Sequence, residues 1–223
     1  MLRKQGRMHP VIADFTNKEF YNGLLSPVPT AHQRENILFN IYDNQNPLQR
    51  LLAVQRLIFI PSEEDLTDRT HKTNYSEARI TTNILNTIYD LYRQNNQPFI
   101  PEKSVGIITP YRSQIALIRQ EIEKLNIPEL NNLTIDTVER YQGSQRDIII
   151  YSFSVNKTYQ IDMLSNILYE GEKAIDRKLN VALTRSRKQI IITGNPDILR
   201  YSPIYNRLLE YISEHGSYTP IPL

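Results

Sequence analysis

Residues 147–153, Asp-Ile-Ile-Ile-Tyr-Ser-Phe, decide how this chain folds. Three consecutive isoleucines followed by Tyr151 leave no polar face for water, so the strand they predict is buried on both sides. Strands of that kind, separated by amphipathic helices, belong to a parallel sheet covered above and below. Toward the N-terminus, a polar turn at residues 141–146 precedes an alternating strand at 133–138. Before it come a helix carrying Ile115, Ile118, Ile122 and Leu125, and a buried strand, Val105–Ile108. Ile80, Ile84, Ile88 and Leu91 recur at helical spacing behind Ser76, a suitable N-cap, and residues 56–60 (RLIFI) form another strand that stops at Pro61-Ser62. Residues 10–21 predict a helix with Val11, Ile12 and Phe15 on one face and Asn22-Gly23 as its stop. Toward the C-terminus, after a less regular stretch to Gly171, the pattern predicts a helix over 176–187, a strand over 190–193 and a helix over 203–214. Residues 26–53 carry no sustained period and are expected to be a surface excursion. The economical reading is one α/β domain over residues 1–223.

Composition narrows the chemistry. The chain has no cysteine, which removes disulfides, thiolate nucleophiles and cysteine-ligated metals and is compatible with a reducing compartment. Lys+Arg 26 against Asp+Glu 24 gives a net charge of +2, which hardly announces a polyanionic partner. Only 7 of 223 residues are glycine, so phosphate-cradling loops must be scarce. The N-terminal MLRKQGRMHP lacks the apolar core of a signal peptide, and no apolar run approaches the ~18 residues that span a bilayer. A cytoplasmic, membrane-free protein is expected.

Four polar segments interrupt this frame. Gln5-Gly6-Arg7-Met8-His9-Pro10 places an arginine just before a helix N-terminus, a setting suited to an anion, though equally an ordinary basic start. Gly106-Ile-Ile-Thr109-Pro110-Tyr111-Arg112-Ser113-Gln114 runs off the carboxyl end of a buried strand, where open α/β sheets bind ligands; by itself it is as easily a plain strand-to-helix turn. Residues 135–147 (IDTVERYQGSQRD) join two strands by a turn richer in polar groups than a turn requires. Residues 177–188 (RKLNVALTRSRK) concentrate cations with no acid among them, and on a helix Asn180, Thr184 and Arg187 would share one face. Such arginines can neutralise charge on a transferring phosphate, or be merely solvated. Glu139 and Asp147 lack a third group to complete a metal or acid–base site. The histidines His9, His32, His71 and His215 have no ligand spacing, so no metal site is expected and a metal-dependent nuclease is disfavoured.

Taken together and in this order, the segments resemble the second RecA-like domain of superfamily 1 helicases of the nonsense-mediated-decay and Okazaki-fragment-processing type. QGRMHP with Phe15, the FYNGLL of residues 20–25, Asn74 with Glu77-Ala78, GIITPYRSQ, TVERYQGSQRDIIIYS and LNVALTRSR all match. The resemblance covers nearly the whole chain except residues 26–53, and implies a RecA-like α/β fold with a mostly parallel sheet.

The roles it implies fall on single positions. Arg185 resembles an arginine finger reaching the γ-phosphate of ATP, Arg7 a second cation on the same phosphates, and Gln5 and Gln145 residues near the nucleotide. Thr109, Pro110, Thr137, Gln142 and Gly143 fall where the family grips single-stranded DNA or RNA, and the glycine lets the backbone approach closely. Gly6 stands where an aromatic usually stacks on the adenine, Gln145 where a glutamate is usual, and Glu139 where an aspartate is common. No G-x-x-x-x-G-K-[ST] occurs in the chain. The family's P-loop and Mg²⁺ ligands belong to an N-terminal RecA-like domain, so the chain is expected to be half a motor, either an excised domain or a truncated gene product. The alternative is a nucleic-acid-binding or scaffolding relic that has lost catalysis.

Overall fold

A computed structural model describes residues 3–28, 30–67, 70–141, 144–170 and 173–220. β1 (Lys4–Gln5), α1 (Pro10–Phe20) and β2 (Ser26–Pro27) open the chain, and α2 (Pro47–Val54) precedes β3 (Leu57–Pro61). Next come α3 (Tyr75–Gln94), β4 (Val105–Ile108), α4 (Arg112–Glu123), β5 (Ile135–Asp136) and β6 (Arg146–Ser152). α5 (Gln160–Leu164) and the hairpin of β7 (Ile167–Glu170) with β8 (Lys173–Asp176) lead to α6 (Arg177–Leu183) and β9 (Ser186–Gly194). The chain ends in α7 (Pro196–Leu199), α8 (Pro203–His215) and β10 (Ser217–Tyr218).

The central sheet has the order β10-β3-β9-β6-β4-β5 and every pair in it is parallel. Strand alternation sorts its side chains into two cores. Leu57, Phe59, Ile149, Tyr151, Ile190 and Ile192 point to one face, where α1, α6 and α8 cover them with Ile12, Phe15, Leu179, Ala182, Leu208 and Ile212. Ile58, Ile60, Ile107, Ile148, Ile150 and Ile191 point to the other, under α2, α3 and α4. The central strands thus bury both faces, because their isoleucine runs have no polar side to offer water. This is the α/β arrangement, parallel sheet between helices, of a RecA-like domain.

Local chemistry moves several boundaries. α3 starts behind Asn74 rather than Ser76, because Asn74 Oδ1 accepts the Glu77 amide at 2.8 Å. The strand expected over 133–138 shrinks to Ile135–Asp136, since Tyr141 N already donates to Thr137 O and turns the chain. Val11 is exposed, while Ile12 and Phe15 are buried. Residues 26–53 do not all lie on the surface: Phe39, Leu52 and Ala53 are buried in the second core, and α2 is capped reciprocally by Asn46 and Gln49.

Candidate functional site

The sheet has two chemically different edges. At its amino edge, β9 begins at Ser186 beside the start of β6, so Arg185 stands at the end of the α6 turn next to Ser144. The loop between β1 and α1 brings Arg7 to the same place: its Nη1 donates to Thr184 O at 3.2 Å across 177 residues of sequence. Arg185 is 8% exposed; its Nη1 donates to Ser144 O at 3.3 Å, and its buried Nε has no partner among the described residues. Burial first, then the nearby Arg7 charge, lowers the Arg185 pKa from its ordinary value. Among the described residues no carboxylate pairs with either arginine. A cleft of about 300 Å³ opens here, lined by Lys4, Gln5, Gly6, Arg7, Met8, Tyr21, Leu25 and Thr184. Arg7 lines it and Arg185 stands behind.

Gln5 faces inward on its own turn. Its Oε1 accepts the Arg7 and Met8 amides at 3.1 and 2.8 Å, and its Nε2 donates to Met8 O at 3.0 Å. Its amide therefore shapes the loop that carries Arg7. Gly6 is exposed, and a Cβ there would meet Val28 and Thr30 at ordinary contact distances. Gln145 is exposed at the foot of β6. Gln142 and Gly143 lie outside the described residues.

The helix expected over 176–187 ends at Leu183, with Thr184 as its C-cap, so Asn180, Thr184 and Arg187 do not form one helical face. Arg187 and Lys188 belong to β9, at an irregularity where Arg146 pairs with Ser186 but Ile148 with Gln189. Two residues of β9 thereby oppose the single Asp147, and both cations reach it, at 3.0 and 3.7 Å. Lys188 also pairs with Glu35, and Lys178 with Glu139 at 3.0 Å. Lys178, Arg187 and Lys188 are therefore neutralised in place, while among the described residues no acid pairs with Arg177 or Arg185.

At the carboxyl edge, Thr109 and Pro110 leave β4 and Thr137 leaves β5. Thr109 is fully buried; its hydroxyl contacts Ser154 Oγ at 3.1 Å and its amide donates to Asp136 O. The surface available to a ligand here is supplied by Pro110, Tyr111 and Thr137, all half-buried. Tyr141 is 1% exposed and donates its hydroxyl to Thr134 O at 2.7 Å. It needs Gly106, where a Cβ would collide with the Tyr141 hydroxyl and Arg146 Cγ.

Beneath this edge lies a cluster that motif reading named but gave no role. Glu77 is fully buried; Oε1 accepts from Ser62 Oγ at 3.2 Å, and Oε2 from Ser152 Oγ at 2.7 Å and Ser154 N at 2.9 Å. Burial raises its carboxyl to about 7, while these hydrogen bonds hold it down. Ser154 adopts φ 52°, unusual for a residue with a Cβ, which presents its amide to Glu77. Beside it, Asn74 and Gln114 exchange hydrogen bonds, and Asn156 and Gln160 tie Thr73, His71 and Tyr111 to the end of β6. Four strand ends and the first turn of α3 are thereby locked together.

Comparison with known proteins bears on the family of the chain. A family model described as "AAA domain" matches residues 1–197. The chain is 29% identical to the Regulator of nonsense transcripts 1 homolog of Arabidopsis thaliana, across 100% of this chain and 16% of that protein. It is 28% identical to Helicase sen1 of Schizosaccharomyces pombe, across 94% of this chain and 11% of that protein. The chain thus spans less than a fifth of the length of these relatives. Among the described residues no helix is long and apolar enough to cross a membrane. With the parallel sheet, the ordered motifs and matches of this extent, the chain belongs to the AAA-domain family and is a C-terminal RecA-like domain of the superfamily 1 helicase type.

Proposed function

We propose that the chain is the second motor domain of an ATP-dependent DNA or RNA helicase. The carrying observation is that Arg7, on the lining of the cleft, and Arg185, behind it, come together from opposite ends of the sequence with no acid paired to either among the described residues. Two like charges held together, with a buried Nε unpartnered among the described residues, fit a ligand that arrives with negative charge, such as the phosphates of ATP. On this reading Arg185 is the arginine finger on the γ-phosphate and Arg7 the outer cation. Gln5 contributes through the turn it holds, and Gln145 by its place near the nucleotide. The residues lining the cleft include no carboxylate, so Mg²⁺ would be held by an N-terminal P-loop domain, as would most of the nucleotide.

Chemically, ATP hydrolysis moves the γ-phosphoryl to water, with charge spreading over its outer oxygens. Arg185 and Arg7 would stabilise that charge, fixed in place before it develops by Ser144 O, Thr184 O and the Gln5 turn. The carboxyl edge would carry single-stranded nucleic acid through Pro110, Thr137 and backbone groups, with Thr109 supporting from inside and Gln142 and Gly143 on the loop between. A cysteine-free chain is compatible with a reducing, cytoplasmic setting.

The test is ATP hydrolysis with single-stranded nucleic acid. The chain alone is expected to show negligible turnover, restored when a P-loop domain of the same family is supplied. Robust hydrolysis by the chain alone defeats the proposal. Salt-dependent strand binding with no effect of nucleotide, even with that domain present, favours the non-catalytic relic instead.

A further inference from the structure

Arg7 sits on a loop that has little to hold it. β1 is two residues long, Gly6 adds backbone freedom, and the Arg7 side chain is exposed. Beyond the Gln5 amide within the loop, what fixes it comes from residues 30–33, which lie in the segment without motif or period. A 3₁₀ turn, Ala31–Gln33, packs its buried His32 and Gln33 against the loop backbone. Gln33 Oε1 accepts from Thr30 N and Oγ1, at 3.2 and 3.1 Å, which leaves its Nε2 to donate to Met8 O at 2.8 Å and Gln5 O at 3.4 Å. His32 Nε2 lies 2.7 Å from Arg7 O; a carbonyl only accepts, so Nε2 carries the hydrogen. Nδ1 then faces the Thr30 hydroxyl at 3.3 Å and Arg187 Nη2 at 3.5 Å, and Arg187 is itself fixed by Asp147. His9 N donates to Arg187 O at 2.8 Å, so the far end of the loop is tied to the same strand. The carbonyls of Gln5, Arg7 and Met8 are thus all held by residues 32 and 33.

We infer that His32, with Gln33, is a positioning residue that sets the place of Arg7 at the cleft and transmits to it the rigid Asp147–Arg187 pair of the central sheet. It touches no ligand; it acts through the Arg7 carbonyl. The inference rests on the reading of Arg7 as a phosphate-facing cation, and two measurements separate the fates of the two.

The first is amide hydrogen exchange in the 223-residue chain. His32→Ala is expected to speed exchange at Arg7 and Met8 about tenfold, the weight of one hydrogen bond, while β6 and β9 keep their protection. His32→Gln, which retains an N–H donor, should restore the slow rate. Unchanged exchange at Arg7 and Met8, or equal acceleration throughout the sheet, overturns the clamp. The second is ATP hydrolysis with a P-loop domain supplied. His32→Ala should lower kcat about tenfold and add nothing in an Arg7→Ala background, as expected when both act through one group. Additive losses overturn the inference. If Arg7→Ala alone is silent, the phosphate role of Arg7 falls, while the exchange result still decides the clamp.

Discussion

The two edges of one sheet handle charge in opposite ways. At the carboxyl edge the buried carboxylate of Glu77 receives three hydrogen bonds, and around it Asn74, Gln114, Asn156 and Gln160 satisfy one another and the backbone. At the amino edge Arg7 and Arg185 stand close together, their side chains donating to main-chain carbonyls and, among the described residues, paired with no acid. A saturated buried network rigidifies a fold, whereas unmet like charges cost it stability and persist where something outside the domain uses them. The buried cluster beneath the carboxyl edge is therefore read as structure and the arginine pair at the amino edge as function, and each mutation below tests that division.

The largest effect belongs to the amino edge. With a P-loop domain supplied, Arg185→Ala should cost roughly 10³-fold in kcat, as loss of an arginine finger does in phosphoryl transfer. Steady-state hydrolysis measures it, and a change below tenfold would move Arg185 out of the catalytic machinery.

Next comes the carboxyl edge. Glu77→Ala strands the Ser154 amide and the Ser62 and Ser152 hydroxyls in a dry interior and should cost about 3 kcal/mol by denaturant unfolding. Gly106→Ala, which drives a methyl into Tyr141, should cost about 2 kcal/mol in the same assay.

A pH series sharpens the contrast. Because the folded Glu77 carboxyl is raised from 4.5 to about 7, the folded state binds its proton more tightly than the unfolded chain does. That contribution is complete below pH ~4.5 and is lost as pH rises toward 7. Unfolding midpoints of the wild type relative to Glu77→Gln should fall across this window and level off above it. Parallel curves would show that Glu77 does not titrate there. The smallest effect is at the rim: Lys178→Ala, which breaks a half-exposed pair with Glu139, should change stability by less than about 0.5 kcal/mol.

How much of this was legible depends on where each residue's partners lie in the sequence. Val105–Ile108 is the strand the sequence predicts, and β6 is displaced by one residue, because isoleucines buried on both faces need no distant information. The helix drawn through Arg187 fails because residues 184–187 suit either a helix or a strand. The pairing of Ser186 with Arg146 decides for the strand, and that contact is 40 residues away in sequence order and invisible locally. Glu77 reads as an acid in the first turn of a helix, favourable there for the helix dipole, so nothing marks it as the hub of a buried cluster. His32 and Gln33 were lost inside residues 26–53, since their value lies in carbonyls of residues 5–8 that no periodicity reveals. Motif order points to Arg7 and Arg185, while only the fold brings the one beside the other.

The most direct test of the division between edges is the stability of Arg185→Met, which removes the charge and keeps the volume. If Arg185 is held for a partner rather than for the fold, its unfolding free energy should equal that of the wild type or exceed it, by up to ~2 kcal/mol. A loss of more than about 1 kcal/mol would mean that the arginine supports the domain itself, and the contrast between the two edges would not stand.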